Sequence, residues 1–185
     1  MQFYQQGTAE ALRQAIGKYQ AALKLWQKLD EQSREAETLN QIGLVYDDLG
    51  ETQEVLKYYN QALPILLAVE DRTGQATTLN NIGKVYLSLG ETEEALKHFN
   101  RALSIRRVVG DRKGEILTLS NMASLEYRRG NLQSAQTYIQ AAIEIIEDLR
   151  AKITNTELRD AYSASVRGYY EFNTYLLMEL QKKDL

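Results

Sequence analysis

The sequence predicts an all-α solenoid, in which antiparallel helix pairs stack in a superhelical row closed by a long C-terminal helix. Three observations predict it: a forty-residue unit recurs without a gap, its apolar positions follow helical spacing, and no stretch alternates as a strand would. Residues 40–79 and 80–119 agree at 22 of 40 positions, far more than chance places in register. From 120 a third copy continues with decay, and 15–39 fits the second half of one more. The expected organisation is a partial repeat at 1–30, repeats at about 32–70, 72–110 and 112–150, and a C-terminal capping or linker helix within 151–185.

Taken in order, the first helix is expected over 9–29, after a turn at Gly7-Thr8. Its apolar face (Leu12, Ile16, Tyr19, Leu23) lacks part of its cover in that reading. The face then marks either a fragment of a longer protein or a homodimer surface, because uncovered apolar area is an interaction site. The first helix of each full repeat carries Leu39, Ile42, Val45, Tyr46 and Leu49, then Leu79, Ile82, Val85, Tyr86 and Leu89. Gly50, Gly90 and Gly130 stand where a helix ends on a left-handed residue, and Asn131 is a natural N-cap. The second helix follows with Val55, Leu56, Tyr59, Ala62 and Leu63, and with their equivalents forty and eighty residues on. Asp71 and Asp111 are placed to cap the helix after each pair. Gly43, Gly83 and Ala123 recur where paired helices must approach closely. Pro64, inside a second helix, removes one backbone bond and predicts a kink near 60–64 on an exposed side. A capping-box start at Thr154-Asn155-Thr156-Glu157 opens one last helix, with Leu158, Tyr162, Val166, Tyr169, Asn173, Leu176 and Leu180 as its stripe. Tyr170, Phe172 and Tyr175 lie off that stripe, as packing or as a landing surface for another domain.

Composition excludes several functions. The 185 residues contain no cysteine and one histidine, so thiolate zinc sites, disulfides, thiol nucleophiles and multi-histidine metal sites are out. His98 aligns with Tyr58 and Tyr138 and has no acid–nucleophile spacing around it, so no catalytic residue is predicted and the chain is read as a non-enzyme. No cofactor or metal is expected. A net charge of -3 argues against nucleic acid as a partner. No apolar run reaches membrane-spanning length and Met1-Gln2-Phe3-Tyr4 is no signal peptide, so the expected location is cytoplasmic. Trp26, aligned with Leu66 and Arg106, is read as packing or partly exposed.

Leu-x-x-Ile-Gly-x-x-Tyr-x-x-x-Gly followed by an Ala-x-x-x-Tyr/Phe-x-x-Ala run resembles the tetratricopeptide repeat (TPR), whose arrays form right-handed superhelical solenoids. The forty-residue spacing with Leu-Asn-Asn-Ile-Gly and Gly-Asp-Arg is similar to its longer subclass, found in kinesin light chains and polarity scaffolds. Residues 141–150 and the tyrosine-rich helix after them resemble the segment that joins such arrays to the caspase-like domain of bacterial CHAT-domain proteins. The last repeat departs from the pattern, with Ala123 for the glycine and Glu126 for the tyrosine.

The resemblance implies a concave groove for a protein or peptide ligand. Its lining is expected from Asn40, Gln41, Leu44, Asn80, Asn81, Lys84, Leu87, Asn121, Tyr127 and Arg128. An amide donates and accepts together, so the stripe Asn40, Asn80, Asn81 and Asn121 suits the backbone of an extended peptide; it suits equally the bridging of adjacent helices. Leu44, Leu87 and Tyr127 are candidate apolar contacts. The clamp by which some TPR domains hold a C-terminal carboxylate is not matched, since Asn40, Leu44, Leu117 and Asn121 stand where it needs other residues. Basic side chains exceed acidic ones over 71–130, ten against seven, and eight of the ten are Lys84, Arg101, Arg106, Arg107, Arg112, Lys113, Arg128 and Arg129. These form a steering surface for an acidic peptide or simply a solvated face. The expected function is a non-catalytic scaffold holding an extended peptide or a partner's helix. The alternatives are a regulatory arm of a CHAT-type protease acting in cis and a self-associating solenoid.

Overall fold

A computed structural model describes residues 2–183, with side-chain surroundings for 9–182. Among these residues every element is helical: α1 (Gln2–Leu29), α2 (Gln32–Asp48), α3 (Thr52–Ala68), α4 (Arg72–Ser88), α5 (Thr92–Val109), α6 (Arg112–Arg128), α7 (Leu132–Ala151), α8 (Thr156–Ser165) and α9 (Arg167–Lys183). Each helix from α1 to α7 packs on the next, α4 also touches α6, and α9 folds back onto α7. The molecule is an all-α repeat solenoid.

The junctions follow from backbone chemistry. Gly50, Gly90 and Gly130 take φ of 72°, 79° and 78°. The amide after each then reaches back to the carbonyl of Tyr46, Tyr86 or Glu126 at 2.9–3.0 Å, satisfying acceptors that the helix end leaves free. Gly110 closes the other kind of junction in the same way, at φ 72°, but there Asp30 and Glu70 adopt φ of 56° and 57° without being glycine. The Asp71 and Asp111 side chains accept from the amides of Gly74 and Gly114 at 2.9 Å, as expected of N-caps.

Close approach explains the small residues. A Cβ on Gly43 would fall 2.5 Å from the Tyr59 ring, and one on Gly83 would fall 2.7 Å from Phe99. The third repeat has Ile139 in that place, fully buried, and Ala123 opposite it is also fully buried. A smaller partner leaves room for the methyl. A second repeated contact stacks Tyr46 on Tyr58 and Tyr86 on His98, both with ring centroids 5.4 Å apart.

Several expectations are corrected. α1 passes straight through Gly7-Thr8, because an interior glycine costs a helix only about 1 kcal/mol. The Leu12, Ile16, Tyr19, Leu23 face is covered in part: Ile16 is buried and packs with Tyr19 and Leu23 against Leu39, Ile42 and Tyr46 of α2, while Leu12, Tyr19 and Leu23 stay half-exposed. The opposite side of α1 presents Gln14, Lys18, Lys24 and Lys28. Asn131 precedes α7 without capping it through its side chain. Its amide donates instead to Glu126 (2.6 Å), a buried carboxylate that Arg129 also meets at 3.3 Å. The cap of α8 is Asn155, accepting from Leu158 N at 2.9 Å, and not Thr154. The C-terminal stripe runs through two helices. Ser163 and Ser165 hydroxyls bond the carbonyls of Arg159 and Tyr162, which competes with helix bonds, and the chain breaks at Val166. The break buries Val166 and Leu176, leaves Leu158 exposed, and sets α9 on α7.

Arg106 overturns the view of the central basic residues as one solvated face. It is buried, at the position held by Leu66 and Ile146 in neighbouring repeats. Burial holds its pKa below the usual arginine value against the pull of Asp111, and its guanidinium donates to Gly114 O. Arg107 and Arg112 both pair with Glu115, and Arg129 pairs with Glu93 and Glu126. α3 runs unbroken through Pro64, which lies exposed.

Candidate functional site

The repeat sets α2, α4 and α6 side by side, and a cleft of about 440 Å3 lies between α2 and α4. Ser33, Arg34, Glu37, Asn40, Gln41 and Leu44 form one wall, and Thr73, Thr77 and Asn81 the other. Side chains three or four residues apart share a helix face, so 33, 37, 41 and 44 reach the same opening as 73, 77 and 81. A second cleft, of about 720 Å3, lies between α1 and α2 and shares Arg34, Glu37 and Gln41 with the first. Tyr19, Ala22 and Trp26 supply its other wall, and the Arg34 guanidinium sits 4.8 Å from the Trp26 ring centroid.

The asparagine stripe divides in two. Asn80 is almost fully buried, with Oδ1 3.3 Å from Thr118 Oγ1 and 3.0 Å from Asn121 Nδ2. Asn40 repeats the contact one unit earlier, 3.0 Å from Thr78 Oγ1. Each threonine hydroxyl also lies within hydrogen-bond distance of a carbonyl one turn back, Gly74 O or Gly114 O. A hydroxyl has one proton, so each threonine shares it, in a three-centre bond, between the carbonyl one turn back and the asparagine oxygen. These amides tie one first helix to the next. The expectation that Asn80 lines the groove is therefore corrected, and so is that for Leu87, which is also buried. Asn40 and Asn81 remain half-exposed and reach the cleft, Gln41 and Leu44 stand beside them, and Lys84 lies exposed one turn on.

The carboxyl-terminal candidates are held by other partners. Arg128 donates to Leu87 O at 3.3 Å, across to the last turn of α4. The Tyr127 hydroxyl lies 2.9 Å from that of Tyr175, and its ring meets Phe172 and Tyr175 edge-on, so α9 covers this end. That hydrogen bond, ahead of desolvation, pushes the Tyr175 pKa up to about 12. Burial, then the bond to Glu147, does the same for Tyr170, which puts Tyr170 and Phe172 in the packing of the end helices. Asn121 keeps one half-exposed amide next to Asn80.

Sequence reasoning missed Tyr19, Trp26 and Arg34 as groove residues. The first two belong to the partial repeat, whose phase against α2 is the only signal that could have placed them on the groove side. No group of three or more His, Asp or Glu side chains among the described residues is arranged to hold a metal ion. No helix among them is long and apolar enough to cross a membrane.

A family model described as tetratricopeptide repeat matches residues 8–68 and 74–148. No curated protein matches the sequence. Among solved structures, BtubC (BKLC) from P. vanneervenii is 19% identical with a TM-score of 0.71, over 93% of this chain and 72% of that one. Aspartyl phosphate phosphatase F from Bacillus subtilis is 19% identical with a TM-score of 0.78, over 96% of this chain and 45% of that one. The apo form of RapI is 18% identical with a TM-score of 0.70, over 90% and 49% respectively. At these identities the likeness is one of fold, and the chain spans about half the length of the last two.

Proposed function

We propose, from the plain fact that this chain belongs to the tetratricopeptide repeat family, that it is a non-catalytic scaffold holding an extended peptide in the cleft between α2 and α4. The observation that carries this reading is the set of half-exposed amides Asn40, Gln41 and Asn81 around a 440 Å3 cleft with Leu44 at its edge. Amides spaced along two helices pair with backbone N–H and C=O groups of a bound strand, and Leu44 offers an apolar contact. Arg34 and Trp26 extend the same surface toward α1. Lys84 and Asn121 would meet the ligand farther along, short of the end that α9 covers through Tyr127. The test selects peptides from a displayed library on the wild-type protein and re-measures them on Gln41→Ala/Leu44→Ala/Asn81→Ala. Loss of at least about tenfold in affinity, with unchanged helical circular dichroism, supports the cleft. Unchanged affinity sinks it.

A second reading keeps the forty-residue subclass and the CHAT-domain likeness and makes α8 and α9 the working part, as a regulatory arm acting in cis. One observation favours it: Tyr175, Leu177 and Met178 of α9 stay 43%, 44% and 53% exposed. Leu177→Lys/Met178→Lys then abolishes partner binding while the cleft variant leaves it unchanged. A cytoplasmic location belongs with both readings.

A further inference from the structure

On the other side of α4 lies a separate cavity of about 250 Å3. Gln75 and Leu79 form its floor, Pro64 and Leu67 of α3 and Ile105 of α5 its walls, and Arg101 stands at its rim. Gln75 and Leu79 lie about 200° around α4 from Thr77 and Asn81, so this opening is not the groove.

The repeat explains why the cavity is open. Forty residues earlier, Gln27 Nε2 donates to Glu35 Oε1 at 2.9 Å, and forty residues later Arg107 Nε donates to Glu115 Oε1 at 2.9 Å. Each tie spans from the second helix of one unit to the first helix of the next and covers the junction. The middle junction has Leu67 and Gln75 at those two positions. Leucine has no donor, so Gln75 turns inward and gives its amide to Leu66 O at 3.0 Å, while Leu67 remains 60% exposed. Pro64 stands where the next repeat has Ser104 and adds an apolar wall.

Size and charge select the occupant. Sites that enclose a whole small molecule measure roughly 300–1,000 Å3, so this one suits a single anchoring side chain. Arg101 is exposed, and none of the ion pairs among the described residues uses it. We infer that this cavity is an anchor site for one large apolar side chain of an acidic peptide partner, whose carboxylate meets Arg101. The site is distinct from the cleft between α2 and α4, and either can fail without the other.

The test titrates 15N-labelled protein with acetyl-Asp-Phe-amide and acetyl-Lys-Phe-amide and follows backbone amides by NMR. The acidic dipeptide is expected to shift Leu67, Gln75, Leu79 and Ile105 saturably, and the basic one to bind at least about threefold more weakly, as for reversal of one exposed charge pair. Leu67→Arg/Gln75→Glu copies the Arg107–Glu115 tie, so it should fold, close the cavity and lose the shifts. Arg101→Gln should bring the two dipeptides to equal affinity. The inference is overturned if no saturable shift appears at these amides, if the closed variant binds as the wild type does, or if charge makes no difference. Shifts confined to Asn40, Gln41 and Asn81 would also overturn it, and would support the groove instead.

Discussion

Gly43 and Tyr59 fill one space between them: the tyrosine ring occupies the position a Cβ on residue 43 would take, at 2.5 Å. The phenol is buried, its hydroxyl lies near Asn81, and burial raises its pKa well above the usual tyrosine value. Gly43→Ala is expected to destabilise the protein by about 1–3 kcal/mol in urea unfolding, since the ring has no room to retreat. In a Tyr59→Ile background the same change should cost nothing or stabilise by up to about 1 kcal/mol, because alanine is the better helix former. That pairing already exists as Ala123 and Ile139. A double-mutant cycle showing additive effects would refute the shared-space account.

Asn80 and Asn81 are neighbours with opposite duties. Asn80→Ala removes the acceptor shared by Thr118 and Asn121 in a buried place, so a loss of about 1–3 kcal/mol is expected. Asn81→Ala, at a half-exposed position where one amide lies near the Tyr59 hydroxyl, should cost no more than about 1 kcal/mol. Thermal and urea unfolding of the two variants checks this, and equal losses would contradict the division.

Glu70 holds a left-handed conformation, φ 57°, at the position filled by Gly110 one repeat later. A non-glycine residue there carries a strain of roughly 1–2 kcal/mol. Glu70→Gly is expected to recover about 1 kcal/mol, the gain in strain being partly offset by a more flexible unfolded chain. Gly110→Ala should lose a similar amount. Urea midpoints that move the other way would rule the argument out.

His98 stacks on Tyr86, and burial pushes its pKa below the ordinary histidine value, with Arg101 acting in the same direction. The unfolded chain therefore takes up a proton near pH 6.5 that the folded chain refuses. The associated stability is complete above that pH and is lost as pH falls below it, at no more than about 1.4 kcal/mol per pH unit. The drop in melting temperature from pH 7.5 to 5.5 should be smaller in His98→Tyr, which copies Tyr58. Identical pH profiles for the two proteins would exclude His98 as the source.

The repeat period, the helix spacing, the left-handed glycines at 50, 90 and 130 and the Asp71 and Asp111 caps were all legible in the residues. Each is local: it depends on neighbours within a turn or two, or on a second copy of the unit printed forty residues away. The break at Val166 was not legible, because the stripe from Leu158 to Leu180 reads as continuous whether or not the backbone bends to bring α9 onto α7. The reach of Asn131 to Glu126 was hidden for a similar reason. Its best local use, capping α7, lost to a buried carboxylate that needed donors.

The candidate site was legible as a face and not as a set of contacts. Helical spacing put Asn40, Asn80 and Asn81 together, and only the docking of α4 on α6 buried Asn80 while leaving Asn81 in reach of a ligand. Arg106 makes the same point from the other direction. A charged residue in a basic stretch reads as solvent-facing, but the register of the repeat sets it where Leu66 and Ile146 sit, and Gly114 gives it space and a carbonyl. By itself the sequence determined the architecture, because periodicity and turn chemistry act within one repeat. Which polar groups are spent between repeats, and which are left for a partner, was decided by the packing of one unit on the next.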